Sequence, residues 1–244
     1  MDIIVNAIVL KSVDYKDNDK ILTLYSLEKG KITAGIKGVK KSGAKLKFAS
    51  EPFALCEFVL AEKAGRYTVI GATYIDSFFN LRLSLEKYYS SSVILETLNL
   101  LTAENEPDPD LFSLVVNAVK YINYQGVELK ILNGFLFNFI TILGYGIQTL
   151  NCNGCDSLID GRVFFSGRFA EFYCSSCRID DAMEITLETY LALRKIFNKT
   201  IDEISKSTLK RQEEIKLLKF LTYYLQLKTE INVKSVKSLI DFIS

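Results

Sequence analysis

The sequence predicts an α+β protein: a small five-stranded barrel, then a helical domain interrupted by a cysteine module. Three observations carry that reading. As far as Asp76, apolar residues alternate with period two in short runs separated by turn residues. From Leu81 the apolar period lengthens to about 3.6, the spacing of one helix face. Cys152, Cys155, Cys174 and Cys177 then form two C-x2-C pairs with eighteen residues between them. The expected division is 1–79 for the barrel, 80–150 and 179–244 for the helical domain, and 151–178 for the inserted module.

In chain order, Ile3–Lys11 opens the barrel as a strand. Lys20–Leu27 and Lys31–Lys37 follow as a hairpin around Glu28-Lys29-Gly30, and Pro52–Glu62 and Arg66–Asp76 as another around Lys63-Ala64-Gly65. Five strands with short turns fit an OB-fold, which closes its sheet and so removes exposed edges. An SH3-like barrel fits the same pattern. Leu85–Ala103 reads as the first helix. Asp108 before Pro109 marks the next helix start, a capping carboxylate followed by proline at the first helical position. Its inner face holds Leu111, Leu114, Val115, Ala118, Val119 and Ile122. A third helix places Leu132, Phe135, Leu136, Phe139, Ile140 and Leu143 on one face and stops at Gly144 and Gly146. Arg162–Ser166 and Phe169–Tyr173 read as two short strands inside the cysteine module. Beyond it, Leu187–Phe197, Lys210–Lys228 and a last segment from about Ser235 read as helices.

Two C-x2-C knuckles direct four thiolates at one point, an arrangement suited to tetrahedral Zn²⁺. A catalytic zinc site keeps an open position, whereas four cysteines close the shell, so the expected zinc is structural. The module is too short to bury a core of its own, so the ion is expected to supply its cross-link. Cys56 stands alone in a strand pattern and reads as a small core residue. The chain contains no histidine, which removes the usual general base and the Ser-His and Cys-His pairs. No phosphate-binding glycine loop occurs either, and the expectation is a protein that is not an enzyme. The start, MDIIVNAIVLKS, lacks a basic n-region and reads as a strand rather than a signal peptide. No apolar run is long enough to span a membrane. A cytoplasmic, nucleoid-associated protein is expected.

The 244 residues carry a net charge of only +1, so any attraction to nucleic acid must come from local clustering. Such a cluster exists. Lys29, Lys31, Lys37, Lys40, Lys41, Lys45 and Lys47 follow one another with no carboxylate between them, and glycines punctuate the densest part. A flexible cationic loop on a small barrel suits a sugar-phosphate backbone. Tyr15, Tyr25, Phe48 and Phe53 lie nearby as candidate base-stacking residues, at least half of them expected in the core. A later cationic group, from Lys206 to Lys237, is broken by Glu213 and Glu214 and reads mainly as a solvated helix face. Within it, Lys216, Leu217, Lys219 and Leu221 form a candidate partner-binding strip.

In their order, these segments resemble the RecO family of bacterial recombination mediators. The likeness runs through Asp19–Ser42, Tyr88–Asp110, Leu143-Gly144-Tyr145 leading into the first cysteine pair, and Leu218–Leu239. The resemblance implies an OB-fold, a helical domain and a zinc knuckle held by Cys152, Cys155, Cys174 and Cys177. It implies a non-catalytic role: binding single- and double-stranded DNA, annealing complementary strands, and acting with RecR to help RecA replace single-strand-binding protein (SSB). It places Lys37, Lys40, Lys41 and Lys45 on the DNA surface, and it implies binding of the acidic, Phe-ending SSB tail. An adaptor that binds this tail, with DNA incidental, is the competing reading. The chain departs from the family in having lysine where the loop is usually richer in arginine, and Gly167-Arg168 where many members have Gly-Gly.

Overall fold

A computed structural model describes residues 2–243. Its first strand, β1 (Asp2–Tyr15), is longer than the sequence pattern suggests because it serves two partners. Its first half pairs with β4 (Leu55–Lys63). From Ala7 onward it pairs with β2 (Asp19–Ser26) on its other edge, and a bulge between Val9 and Lys11 bends it. β2 continues antiparallel to β3 (Gly30–Ile36), which pairs in parallel with β5 (Arg66–Asp76); β5 returns antiparallel to β4. The order β1-β2-β3-β5-β4 closes on itself. The parallel β3–β5 pairing decides for the five-stranded Greek-key OB barrel over an SH3-like one. Inside lie Val5, Val9, Leu22, Leu24, Ile32, Ile36, Phe58, Leu60 and Cys56. Cys56 is fully buried, as its isolation in a strand suggested, and burial pushes its thiol up to about 12.

Seven helices follow among the described residues: α1 (Leu85–Leu101), α2 (Pro109–Gln125), α3 (Glu128–Ile140), α4 (Leu187–Ile196), α5 (Ile201–Ser205), α6 (Arg211–Thr229) and α7 (Lys234–Ile243). α2 begins as read from Asp108-Pro109, with the Asp108 carboxylate accepting from the Leu111 amide at 2.9 Å. Gly126 ends it with φ +67°. α3 is apolar on nearly every side and forms the centre of the helical unit, against α1, α2, α5 and α6. Gly134 lets α5 approach: a Cβ there would stand 2.7 Å from Ile204 Cδ1. The short α5 has a capping box (Thr200 with Glu203) but too few residues for a periodic signal.

The barrel does not hang from a linker. Ile8, Leu10, Tyr25, Phe53, Leu55 and Phe78 belong to the same core as the helices, and Tyr25 stacks on Phe112 of α2. The β2–β3 turn abuts the α1–α2 loop. Gly30 has φ +65°, and a Cβ there would run into the Glu106 carbonyl. Lys31 donates from its ammonium to Asn99 O (2.8 Å) and Thr102 O (2.5 Å), satisfying carbonyls at the end of α1.

The cysteine module carries two strands, β6 (Val163–Ser166) and β7 (Glu171–Tyr173), and β8 (Met183–Ile185), just beyond the expected 151–178, completes a sheet in the order β7-β6-β8. One expectation is corrected here. The module has little core of its own, but it is not held by an ion alone. Phe165 and Phe172 are fully buried against Phe220 and Tyr224 of α6 and Tyr190 of α4. Aromatic side chains bring large buried area from few residues, which a short insertion can supply to a neighbour's core.

Candidate metal centre and nucleic-acid interface

The two knuckles meet through the β7 strand. Asn153 N donates to Phe172 O at 2.8 Å and Cys174 N to Cys152 Sγ at 3.3 Å, so the first pair is held beside the second by backbone. Gly154 is obligatory in this approach, since a Cβ would lie 2.6 Å from Cys177 Cβ. All four Sγ atoms lie within 4.8 Å of one another. A tetrahedral Zn–S shell with bonds of about 2.3 Å has S–S edges of roughly 3.8 Å, so small movements complete it. Burial pushes the Cys152 and Cys174 thiols up, but backbone amides aimed at their sulfurs outweigh it and hold both below the ordinary thiol range. For Cys152 these are the amides of Cys174, Gly154 and Cys155, and for Cys174 those of Cys177 and Ser176. Cys177, facing the sulfurs of Cys174, Cys155 and Cys152, is pushed up to about 12. Such a set can hold one metal ion: soft donors, converging amides and no carboxylate in the shell.

On the barrel, Lys29, Lys37, Lys40, Lys41, Lys45 and Lys47 are exposed, whereas Lys31 is half-buried and spent on the carbonyls of α1. The loop after β3 is not loose as expected. Gly38 N donates to Asp19 Oδ1, Lys40 N to Asn18 O, and Val39 is buried under the barrel. Successive turns, closed by Lys41 N to Gly38 O and Ala44 N to Lys41 O, carry the chain to a short 3₁₀ turn at Lys47–Ser50. Lys40 pairs with Asp14 at 2.7 Å and, chiefly through that hydrogen bond, holds its carboxyl below the usual carboxylate range. Of the four aromatics, Tyr25 and Phe53 are core residues and Phe48 packs on Tyr74; only Tyr15 is open to solvent.

A cleft of about 510 Å³ crosses the β2–β3 face, bounded by Tyr15, Lys20, Lys37, Arg66 and Tyr67. A shallower depression with Lys16 and Lys41 continues from it past Lys37. OB-folds bind oligonucleotides on this face and between the loops that flank it. Lys16, Lys20, Arg66 and Tyr67 were not singled out from the sequence. Lys16 and Lys20 are far in the chain from Arg66 and Tyr67, and the parallel β3–β5 pairing, Ala34 opposite Tyr67, brings the two pairs together.

The candidate partner strip on α6 is divided. Leu217 and Leu221 are fully buried in the core and cannot meet a partner, because that face of α6 packs on α3. Lys216 pairs with Glu188 of α4. Lys219 instead borders a groove of about 200 Å³ between α6 and α7, with Leu225, Ile231, Val236 and Ile240 in its walls.

Comparison with known proteins matches residues 1–78 to the model described as recombination protein O N terminal and residues 82–237 to recombination protein O C terminal. The chain belongs to the RecO family. Proteins named DNA repair protein RecO are similar along nearly the whole length. The one from Clostridium perfringens is 27% identical over 95% of each chain. That from Pelotomaculum thermopropionicum is 30% identical over 94% of this chain and 90% of its own. That from Caldicellulosiruptor saccharolyticus is 26% identical over 93% of each. No described helix is long and apolar enough to cross a membrane.

Proposed function

We propose that this chain is a non-catalytic DNA-repair mediator that binds single- and double-stranded DNA along the barrel cleft and its lysine loop. It anneals complementary strands and, with RecR, helps RecA replace SSB on gapped DNA in the nucleoid of the cytoplasm. The observation that carries the reading is the cleft itself, where Lys20, Lys37 and Arg66 border two aromatic rings, Tyr15 and Tyr67, on an OB barrel. Cations neutralise phosphates and rings stack bases, so two strands approach with less repulsion while their bases find register. Cys152, Cys155, Cys174 and Cys177 hold a structural Zn²⁺ that ties the two knuckles to each other.

Annealing of complementary dye-labelled strands, bare and SSB-coated, tests this. The protein is expected to accelerate pairing of both. Protein that binds neither strand at low ionic strength overturns the reading. A second reading, docking of the acidic SSB tail, is favoured by the α6–α7 groove, where an apolar pocket with Lys219 at its edge suits a terminal aromatic ring beside a carboxylate. Lys219→Glu is expected to weaken tail-peptide binding, and undiminished binding sinks this reading.

A further inference from the structure

The metal module ends in a hairpin tip that the proposed function leaves unused. Between β6 and β7 the chain turns through Gly167-Arg168-Phe169-Ala170, with Ala170 N closing on Ser166 O at 2.9 Å. Phe169 is 52% exposed, yet the turn does not require an aromatic there. Its ring carries the Arg168 guanidinium 5.1 Å from its centroid. Gly167 lies against Leu227 of α6, where a Cβ would meet that side chain, so the tip packs beside the helix. One residue on, Lys228 donates to Arg168 O at 2.8 Å and lies over the rings of Tyr145 and Tyr224. Among the described residues neither Arg168 nor Lys228 forms an ion pair, while Arg211 and Lys216 on the same helix are both matched by carboxylates.

We propose that this tip, with the last turns of α6, is a second binding surface for single-stranded nucleic acid, separate from the barrel cleft. Two cations oriented by rings and a carbonyl, rather than neutralised by carboxylates, leave their charge available to phosphates. An exposed ring beside them offers a flat face to a base, and every base has such a face, so binding there is independent of sequence. A chain with two such surfaces can hold two strands at once. The inference thus rests on the proposed DNA binding but assigns a site that this reading does not need.

The full-length protein, irradiated with oligothymidylate bearing 5-iodouracil, is expected to cross-link at Phe169 as well as at Tyr15 or Tyr67. Adducts confined to the barrel overturn the second surface and leave DNA binding by the cleft standing. Adducts at neither place overturn both. With two non-complementary oligonucleotides carrying a donor and an acceptor dye, Phe169→Ala and the double variant Arg168→Ala, Lys228→Ala are expected to lower the energy-transfer signal of doubly loaded protein. Titrated to saturation, Phe169→Ala is expected to raise the Kd for the second oligonucleotide about fivefold, the lower end for removing one base–aromatic stack. An unchanged signal overturns the proposal, and an unchanged circular dichroism spectrum assigns a lowered one to the tip rather than to unfolding.

Discussion

Glu214, in the first turn of α6, shows how one side chain can set a pH response. Burial raises its pKa to about 7, with Glu86 and Glu128 adding to the effect and Arg211 and Lys130 opposing it. A carboxyl that binds its proton more tightly in the folded state loses stability as pH climbs from its unfolded value, near 4.5, through about 7. Partial exposure to water screens this penalty. Glu214→Gln should therefore raise Tm at pH 8 by roughly 2–4 °C, the shift for about 1 kcal/mol in a domain of this size, and change little at pH 5. Thermal melts at the two pH values check it; an equal shift at both removes Glu214 as the source. Asp14 acts in the other direction on DNA. It holds Lys40 in an exposed ion pair, so Asp14→Asn should free one cation, tighten oligonucleotide binding and steepen its salt dependence. Weaker binding by this variant in an anisotropy titration would contradict that role for Lys40.

The lysine loop is an element whose effect is collective. Replacing Lys37, Lys40, Lys41 and Lys45 with Ala should flatten the log–log slope of affinity against salt by about 0.7 to 0.9 for each phosphate no longer neutralised. An unaltered slope places the DNA elsewhere. The cysteine module is an element with two anchors. Aromatic packing on α6 involves no sulfur, whereas the four thiols converge where the proposed ion would add a link between knuckles already joined by backbone hydrogen bonds. A strong chelator should thus lower Tm while leaving most of the helical circular dichroism intact at 25 °C. Loss of all helical signal would make the ion essential to the whole helical unit. Gly154→Ala is expected to cut bound metal to well below one equivalent in elemental analysis, because its Cβ and Cys177 compete for one place.

At the scale of the molecule, the barrel keeps its own interior but gives Ile8, Leu10, Tyr25, Phe53 and Leu55 to the helical core, and Lys31 and the Gly30 turn join the two further. Unfolding should accordingly be a single transition by fluorescence and circular dichroism, although the chain matches two family models. Gly30→Ala should destabilise both parts together. It adds backbone strain of about 1 kcal/mol or more at a left-handed position, and a clash with the Glu106 carbonyl besides. Two well-separated transitions in the native protein would show that this contact is too weak to couple them.

Much of this was legible in the linear chain because it depends on near neighbours. Period-two runs, the Asp108-Pro109 start and the knuckle spacing are local rules, and they correctly implied strands, helix boundaries and a four-sulfur cluster. The run of lysines also implied a basic loop, since charge needs no partner to be seen. What only the tertiary structure decided was pairing and facing. The parallel β3–β5 pairing made the barrel an OB-fold and brought Tyr67 and Arg66 to Lys20 and Lys37. Packing on α3 turned Leu217 and Leu221 inward, and the carbonyls ending α1 claimed Lys31. Spacing along a chain fixes which residues can lie side by side within an element, but burial depends on what arrives from far away in sequence to cover them.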